Sequence, residues 1–473
     1  MKGFEQVLEK IVAAVNGVLW GNDKIIAGVL LILLCGTGLF YTFRLKFVQV
    51  RKFGQSFKAT FGNLTLNGER AGKDGMSSFQ SLATAIAAQV GTGNLAGAAT
   101  AIAIGGPGAI FWMWISAFFG MATIYAEAVL AQKFKVTDEN GEVNGGPVYY
   151  IRAAYKGNLG KILAAMFSVF IILALGFMGN MVQSNSIGDA FKNAFGINPL
   201  WIGLVVAVLA GFVFLGGVGR IASLTEKIVP IMAACYIVGC IVILGINFRN
   251  IGHAFGQIFT MAFSSGSVFG GLVGTTVQAA MSKGVARGLF SNEAGMGSTP
   301  HAHALAKVKH PCDQGAVAMM GVFIDTFVIL TLTALVIISS GILDDGVVLE
   351  GIALTQTAFN RAFGSFGGIF IAITMFFFAF STIIGWYFFG ERNIKYLFNN
   401  NKTAIKVYAG IVVLFIIVGS VMKVNLVWDM SDMFNGLMVL PNCLGLLALS
   451  GVVVKLMNEY ESLEHVAAKN TKK

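Results

Sequence analysis

Uninterrupted apolar stretches such as IGLVVAVLAGFVFLGG (202–217) and IVVLFIIVGSVM (411–422) recur along the whole chain. A helix crosses the hydrocarbon core of a bilayer with about 20 such residues, which makes this recurrence the feature that most limits the fold. Hydrophobic residues make up 56% of the 473 and charged residues only 12%. A soluble protein carries roughly twice that share of charge. Mean hydropathy is +0.75. The chain reads as an all-α polytopic membrane protein. The ten-residue alternating segments of a transmembrane β-barrel are absent from the sequence.

Eleven spans are expected, at 25–43, 77–105, 109–133, 160–182, 200–219, 226–247, 267–289, 316–341, 366–390, 404–422 and 433–454. No soluble domain interrupts them, so the whole chain, 1–473, reads as one membrane domain. The net charge of +10 could mark a nucleic-acid binder, but basic residues that gather in cytoplasmic loops explain it better. No nucleic-acid partner is expected; the lipid bilayer is. The 44–76 connection holds Arg44, Lys46, Arg51, Lys52, Lys58, Arg70 and Lys73, and is placed in the cytoplasm. The segments Lys133 to Lys161, Arg220 to Lys227, Lys283 to Lys309 and Glu391 to Lys406 then fall inside. Those at 183–199, 248–266, 342–365 and 423–432 fall outside, each with a single Lys or Arg. The N-terminus is therefore outside and the C-terminus cytoplasmic. The leading MKGFEQVLEKIVAAVNGVLW lacks the pattern of a cleavable signal peptide and reads as a short amphipathic helix. Five cysteines, mostly within apolar stretches and without C-x-x-C spacing, give neither a disulfide framework nor a zinc site.

With 25–43 set aside as an additional N-terminal helix, ten spans divide into 77–247 and 267–454. Five is odd, so the second half lies inverted relative to the first, as in many secondary transporters. Each half opens on a glycine-rich span: AAQVGTGNLAGAA (87–99) in the first and SVFGGLVGTTVQAAMSKG (267–284) in the second. Paired interruptions of this kind point to a binding site. Gly91 and Gly93, flanking Thr92, favour local unwinding, at up to about 1 kcal/mol each relative to Ala in a helix. The backbone groups so freed must face protein, ligand or water. Freed carbonyls suit a small hard cation, and the N-terminus of the following half-helix suits a carboxylate. Asn94 adds a neutral oxygen. Taken alone, Gly93-x-x-x-Gly97 is better read as a close-packing motif; Asn94, the central position and the second glycine-rich span turn the reading toward ligand.

Other polar residues within spans carry two readings each. Asp325 is either a functional intramembrane acid or one partner in an ion pair or helix–helix hydrogen bond. Glu127, toward one end of its span, is expected to pair with a basic loop residue. Gln183 either reaches substrate or sits at the interface, and Ser381 and Thr382 either back-bond to their own helix or face a site. Trp386 walls a pocket or simply packs. His301 and His303, on a loop with no acid or Cys nearby, read as structural rather than metal-binding.

GGPGAIFWMWISAFFGMATIYAEAVLA (105–131), AAQVGTGNLAG, ARGLFSNEAGMGS (286–298), GNMVQSNS (179–186), STIIGW and PNCLGLLALSGVV together resemble the alanine or glycine:cation symporter family, also called the sodium:alanine symporters. The resemblance runs from about residue 20 to 455. It implies a LeuT-type 5+5 inverted repeat and symport of Na+ or H+ with alanine, glycine or another small neutral amino acid, with no cofactor besides the cotransported ion. Carried over by motif, Thr92 and Gly93 would contact the substrate's backbone groups. Gln183, Thr382 and Trp386 would complete the pocket, with Trp386 limiting side-chain size. A sodium site is implied at the carbonyls of Ala87, Val90 and Phe378 with the hydroxyls of Ser381 and Thr382. Asn94 serves a second ion or steadies the break. Gly91 and Asp325 are further candidates, and Thr275, Thr276, Gln278 and Met281 are pocket candidates where the resemblance is weaker. The expected function is inward symport of Na+ with alanine or glycine in the plasma membrane. A proton-coupled carrier of glutamine or serine is the alternative. A channel would need a repeated ring of carbonyls or charges, and a membrane enzyme a base within the spans, where no histidine lies.

Overall fold

The computed structural model describes residues 2–21, 28–62, 75–139, 141–263, 277–345, 349–422 and 424–470. Among them, six helices are long and apolar enough to cross a membrane: Gly108–Lys133, Gly157–Phe195, Gly217–Ile246, Pro311–Ser339, Ser365–Leu397 and Lys402–Val421. Leu426–Ala448 and Ser450–Leu463, bent by 56° at their junction, make a seventh. Val29–Arg44, Gly93–Gly105 and Pro199–Phe214 are shorter apolar helices. The expected span at 160–182 is longer than the apolar run indicated, because helix continues through QSNSIGDAFKNAF to Phe195. The N-terminal segment is a helix, Lys2–Trp20. Asn16 and Trp20 from it donate to the carbonyls of Asp429 and Asp432.

Burial sorts the helices. Pro199–Phe214 and Gly217–Ile246 turn large apolar side chains outward, with Val208 71% and Ile231 66% exposed, as a surface facing lipid tolerates. Ser365–Leu397 is the opposite, buried from Phe378 to Ile394 without interruption. It packs against Asn180–Phe195, Gly217–Ile246 and Ser78–Gln89. Gly385 permits the last of these contacts, since a Cβ there would stand 3.0 Å from the Ala88 Cβ.

The segment 77–105 is divided. Ser78–Gln89 starts on a capping box between Ser77 and Gln80 and ends at Val90, whose ψ of 93° leaves the helical region. A π-helical turn, Gly93–Gly97, then leads into Ala98–Gly105. Of the interruption expected at 267–284, residues 267–276, with Thr275 and Thr276, lie outside the described residues, and the remainder belongs to a regular helix, Val277–Asn292. An unexpected break follows this helix, over 293–299, before a short turn of helix at Pro300–His303. Glu293 has φ +57°, Gly295 +87° and Gly297 +80°. The segment expected as an aqueous loop is buried, because fixed side chains answer its polar backbone.

The two broken segments run antiparallel. Ala98–Gly105 packs against Val277–Asn292, and Ser78–Gln89 against Pro300–His303.

Outside the apolar helices, a two-stranded hairpin pairs Val136–Thr137 with Val143–Asn144. Glu142 from it meets Arg392 and Lys395, both at 2.8 Å, at the end of the long helix. Burial works to raise the Glu142 carboxyl, but Arg392 and Lys395 outweigh it and hold it below the ordinary value of 4.5. A depressed carboxyl stabilises above its unfolded pKa, and that contribution is lost as pH falls through the folded one. Glu142→Gln is therefore expected to lower thermal stability at pH 7 by about 1 kcal/mol. The difference from wild type should begin to shrink near pH 4.5 and vanish only once pH has fallen through the lower, folded value, in thermal unfolding scans.

Candidate functional site

The two breaks face one another across the middle of the bundle. A Cβ on Gly93 would stand 2.9 Å from the Cα of Ser291, so only glycine allows this approach. Gln89 donates to the carbonyl of Asn292 at 2.7 Å. Asn94 Oδ1 accepts from the freed N–H of Gly91 at 3.0 Å, and its Nδ2 donates to Asp325 Oδ1 at 2.7 Å. Asp325 also accepts from Ser291 at 2.9 and 3.0 Å and from Thr326 at 2.8 Å. Among the described residues no basic side chain pairs with Asp325. Of its readings as a partner, the structure shows the helix–helix hydrogen bond.

Of the expected substrate contacts, Thr92, Gly93, Gln183 and Thr382 gather at the first break from three separate segments, while Trp386, one turn beyond Thr382, meets Glu293, Phe290 and Gly179. Gln183 Oε1 accepts from the N–H of Thr92 at 3.1 Å. Gly91 lies so close to both that a Cβ would overlap Thr382 Oγ1 and reach within 3.0 Å of Gln183 Oε1. Thr92 Oγ1 and Gln183 Nε2 are buried and have no partner among the described residues. A buried polar atom without a partner costs free energy, so such a pair marks where a polar ligand fits.

Beside them, oxygens converge. The Thr382 hydroxyl lies 2.9 Å from the carbonyl of Ala87, 3.0 Å from that of Phe378 and 3.4 Å from that of Val90. Ser381 Oγ lies 2.8 Å from the Phe378 carbonyl and 3.5 Å from that of Ala87. Both hydroxyls back-bond to their own helix and also reach the broken one. All five expected cation ligands thus share one place, while Asn94 lies beyond them, on Asp325. Gln278 and Met281 are half-buried roughly three turns before Ser291 and are not brought to this centre.

Glu127 corrects an expectation. It pairs with no basic residue among those described; it accepts from the N–H groups of Gly295 and Gly297, each at 3.0 Å, and from Asn442 at 2.6 Å. The second break opens donors that hydrocarbon cannot satisfy, and a carboxyl from Gly108–Lys133 satisfies two of them. His301 and His303 are buried rather than in a solvated loop. His301 stacks on Phe167 and meets Asn393 at 2.9 Å; His303 meets Gln314 at 2.8 Å.

Several site residues escaped sequence reasoning. Trp386 Nε1 donates to Glu293, which also accepts from Ser298. Phe290 stands edge-on to Trp386 at 5.5 Å and 4.8 Å from Trp428. Arg287 lies over the Trp428 ring and pairs with Asp432 at 2.8 Å. Beyond this stack opens a cavity of about 620 Å³ lined by Ala96, Asn185, Ser186, Arg287 and Trp428 among others. The signal available was NEAGMGS itself, an acid beside two glycines within an otherwise apolar region.

Paired breaks in antiparallel helices, braced by one long neighbour, are the architecture of the LeuT fold. The crystal structure of MhsT in complex with L-phenylalanine has this fold: its TM-score is 0.55 at 13% identity, over 83% of this chain and 98% of that one. The family is sharper. Residues 5–473 match the sodium:alanine symporter family, and the chain belongs to it. The sodium/alanine symporter AgcS of Methanococcus maripaludis is 44% identical over 466 residues, 97% of this chain and 99% of AgcS. The probable sodium/glutamine symporter GlnT of Bacillus subtilis is 42% identical over 456 residues, 96% of this chain and 91% of GlnT. The protein is a multi-pass plasma-membrane transporter of the symporter type, not an enzyme.

Glu127→Ala leaves two buried N–H groups unpaired, at about 1–3 kcal/mol each, so a loss of about 3 kcal/mol in thermal unfolding is expected. Glu127→Gln should recover little, since its amide turns a donor toward donors.

Proposed function

We propose that this protein uses an inward Na+ gradient to carry alanine or glycine into the cell by alternating access. Family membership supports amino-acid:cation symport as the class. The observation that carries the finer reading is the meeting of three carbonyls and two hydroxyls at Ala87, Val90, Phe378, Ser381 and Thr382. Unwound carbonyls with hydroxyls from a facing helix suit a small hard cation. Na+ there ties the broken helix to Ser365–Leu397. The amino acid lies next to it, its carboxylate taking the Thr92 hydroxyl and the Gln183 amide, with Gly93 leaving room for its backbone and Trp386 bounding its side chain.

In this reading eleven spans form a helix at 25–43 and two inverted repeats, 77–247 and 267–454, with the N-terminus outside. The antiparallel broken segments and the basic 44–76 connection support that arrangement; Lys283 and Arg287, expected inside, are the exception, since Arg287 pairs with Asp432 of the outer 423–432 segment. The 620 Å³ cavity is then the outer approach, and the stack of Trp386, Phe290 and Trp428 with the Arg287–Asp432 pair closes it. No bond is made or broken; binding energy shifts the population of states.

Reconstituted uptake of a labelled amino-acid panel, with Na+, Li+, K+ and pH gradients imposed separately, tests this. Uptake of alanine or glycine driven by Na+ is expected, and uptake indifferent to Na+ would overturn the sodium assignment. Ser381→Ala removes one ligand and is expected to raise the Na+ concentration for half-maximal uptake about tenfold, roughly 1.4 kcal/mol.

The burial of Asp325 without a basic partner favours a second reading, coupling to H+. Asp325→Asn separates the two. Sodium-driven uptake should survive, since the amide oxygen still accepts from Asn94 or Ser291. Loss of all gradient-driven uptake in a folded variant would move the coupling to this carboxyl.

A further inference from the structure

We propose that Glu293 is a positioning residue for substrate size: its carboxyl holds the Trp386 indole that bounds the amino-acid pocket. The inference rests on the pocket proposed above. Glu293 is fully buried, and among the described residues it forms no ion pair. A buried carboxyl without a cation is costly within a membrane and calls for a reason. Holding the break is not that reason, because Glu127 already takes the N–H groups of Gly295 and Gly297.

The side chain of Glu293 instead reaches the indole. One oxygen accepts from Trp386 Nε1 and the other from Ser298 Oγ, so the carboxyl is itself fixed. Its backbone, at φ +57°, occupies a region that a residue other than glycine rarely adopts. On another side the indole meets Gly179, where a Cβ would stand 2.5 Å from Cζ3 and 2.6 Å from Cε3. Phe290 closes a further side, its ring at 88° to the indole. Phe290 also reaches Gly93, where a Cβ would lie 3.3 Å from its Cδ1.

The indole is thus pinned from the second break, from Gly179 and from Phe290, and its position sets the depth of the pocket. One methylene in such a pocket is worth about 10- to 200-fold in discrimination. A shift of the ring by a fraction of its width therefore decides which side chains enter.

The full chain in proteoliposomes tests this by competition, with glycine, alanine, methionine and glutamine displacing labelled alanine. Ratios of inhibition constants are read, so differences in expression drop out. Glu293→Ala releases the ring and is expected to shift the ratio about tenfold toward methionine and glutamine. Glu293→Gln keeps an oxygen for the indole N–H and should stay within about twofold of wild type. Gly179→Ala pushes the ring toward the pocket and is expected to shift the ratio about tenfold the other way, toward glycine.

Wild-type ratios in Glu293→Ala, or equal shifts in the Ala and Gln variants, would overturn the proposal. If Glu293→Ala does not fold, Ser298→Ala, which frees the Glu293 carboxyl, decides: an unchanged ratio there overturns it, and a shift toward methionine and glutamine bears it out. The pocket reading fails separately, if none of the panel competes in wild type.

Discussion

Backbone freed from a helix inside a bilayer finds no water, so every group released must be met by a fixed partner. That constraint organises this molecule. Gly91 N–H is met by Asn94 and Thr92 N–H by Gln183. The carbonyls of Ala87 and Val90 turn toward Thr382. Gly295 and Gly297 are met by Glu127. Asn94 belongs to the broken segment itself, but Gln183, Thr382 and Glu127 come from three other helices, so satisfying the breaks also fixes where those helices stand. Two unwound turns thereby specify the centre of the bundle.

Close approach is the second requirement. Gly93 against Ser291 and Gly385 against Ala88 are contacts that any side chain would block. A hydroxyl pair and an amide meet the same few ångströms of open backbone. Groups left over at that place, the Thr92 hydroxyl and the Gln183 amide, are donors of the kind the proposed carboxylate requires. The proposed transport cycle follows from the same geometry. A break stabilised by side chains on separate helices changes its bonding whenever those helices move apart.

Much of this was legible in the chain. Apolar runs mark the membrane class, and GTGNLAG marks the first break, because two glycines around a threonine are poor helix and rich in donors. Ser381 and Thr382 were visible as adjacent hydroxyls in a phenylalanine-rich helix. Their meeting with Ala87 and Val90 was not visible in the residues themselves and entered only through family resemblance. Glycine density pointed to SVFGGLVGTTVQAAMSKG, of which 267–276 lie outside the described residues, and did not point to the break at NEAGMGS. There the acid and Arg287 resemble the chemistry of an aqueous loop, and only the Glu127 and Asp432 partners make burial tolerable. Glu127 was misassigned for the same reason: sequence shows the nearest base, not the backbone donors 168 and 170 positions away. The π-helical turns at Gly93–Gly97, Ile172–Gly179 and Phe323–Leu330 leave no composition signal.

The central claim is that a cation occupies the oxygens at Ala87, Val90, Phe378, Ser381 and Thr382 and braces the first break. Hydrogen exchange of the purified protein in Na+ against K+ at equal ionic strength reads this directly. Slower exchange in Na+ at the amides of Gly91–Gly97, deepened by added alanine, is expected. Equal exchange at those amides in the two salts would contradict it.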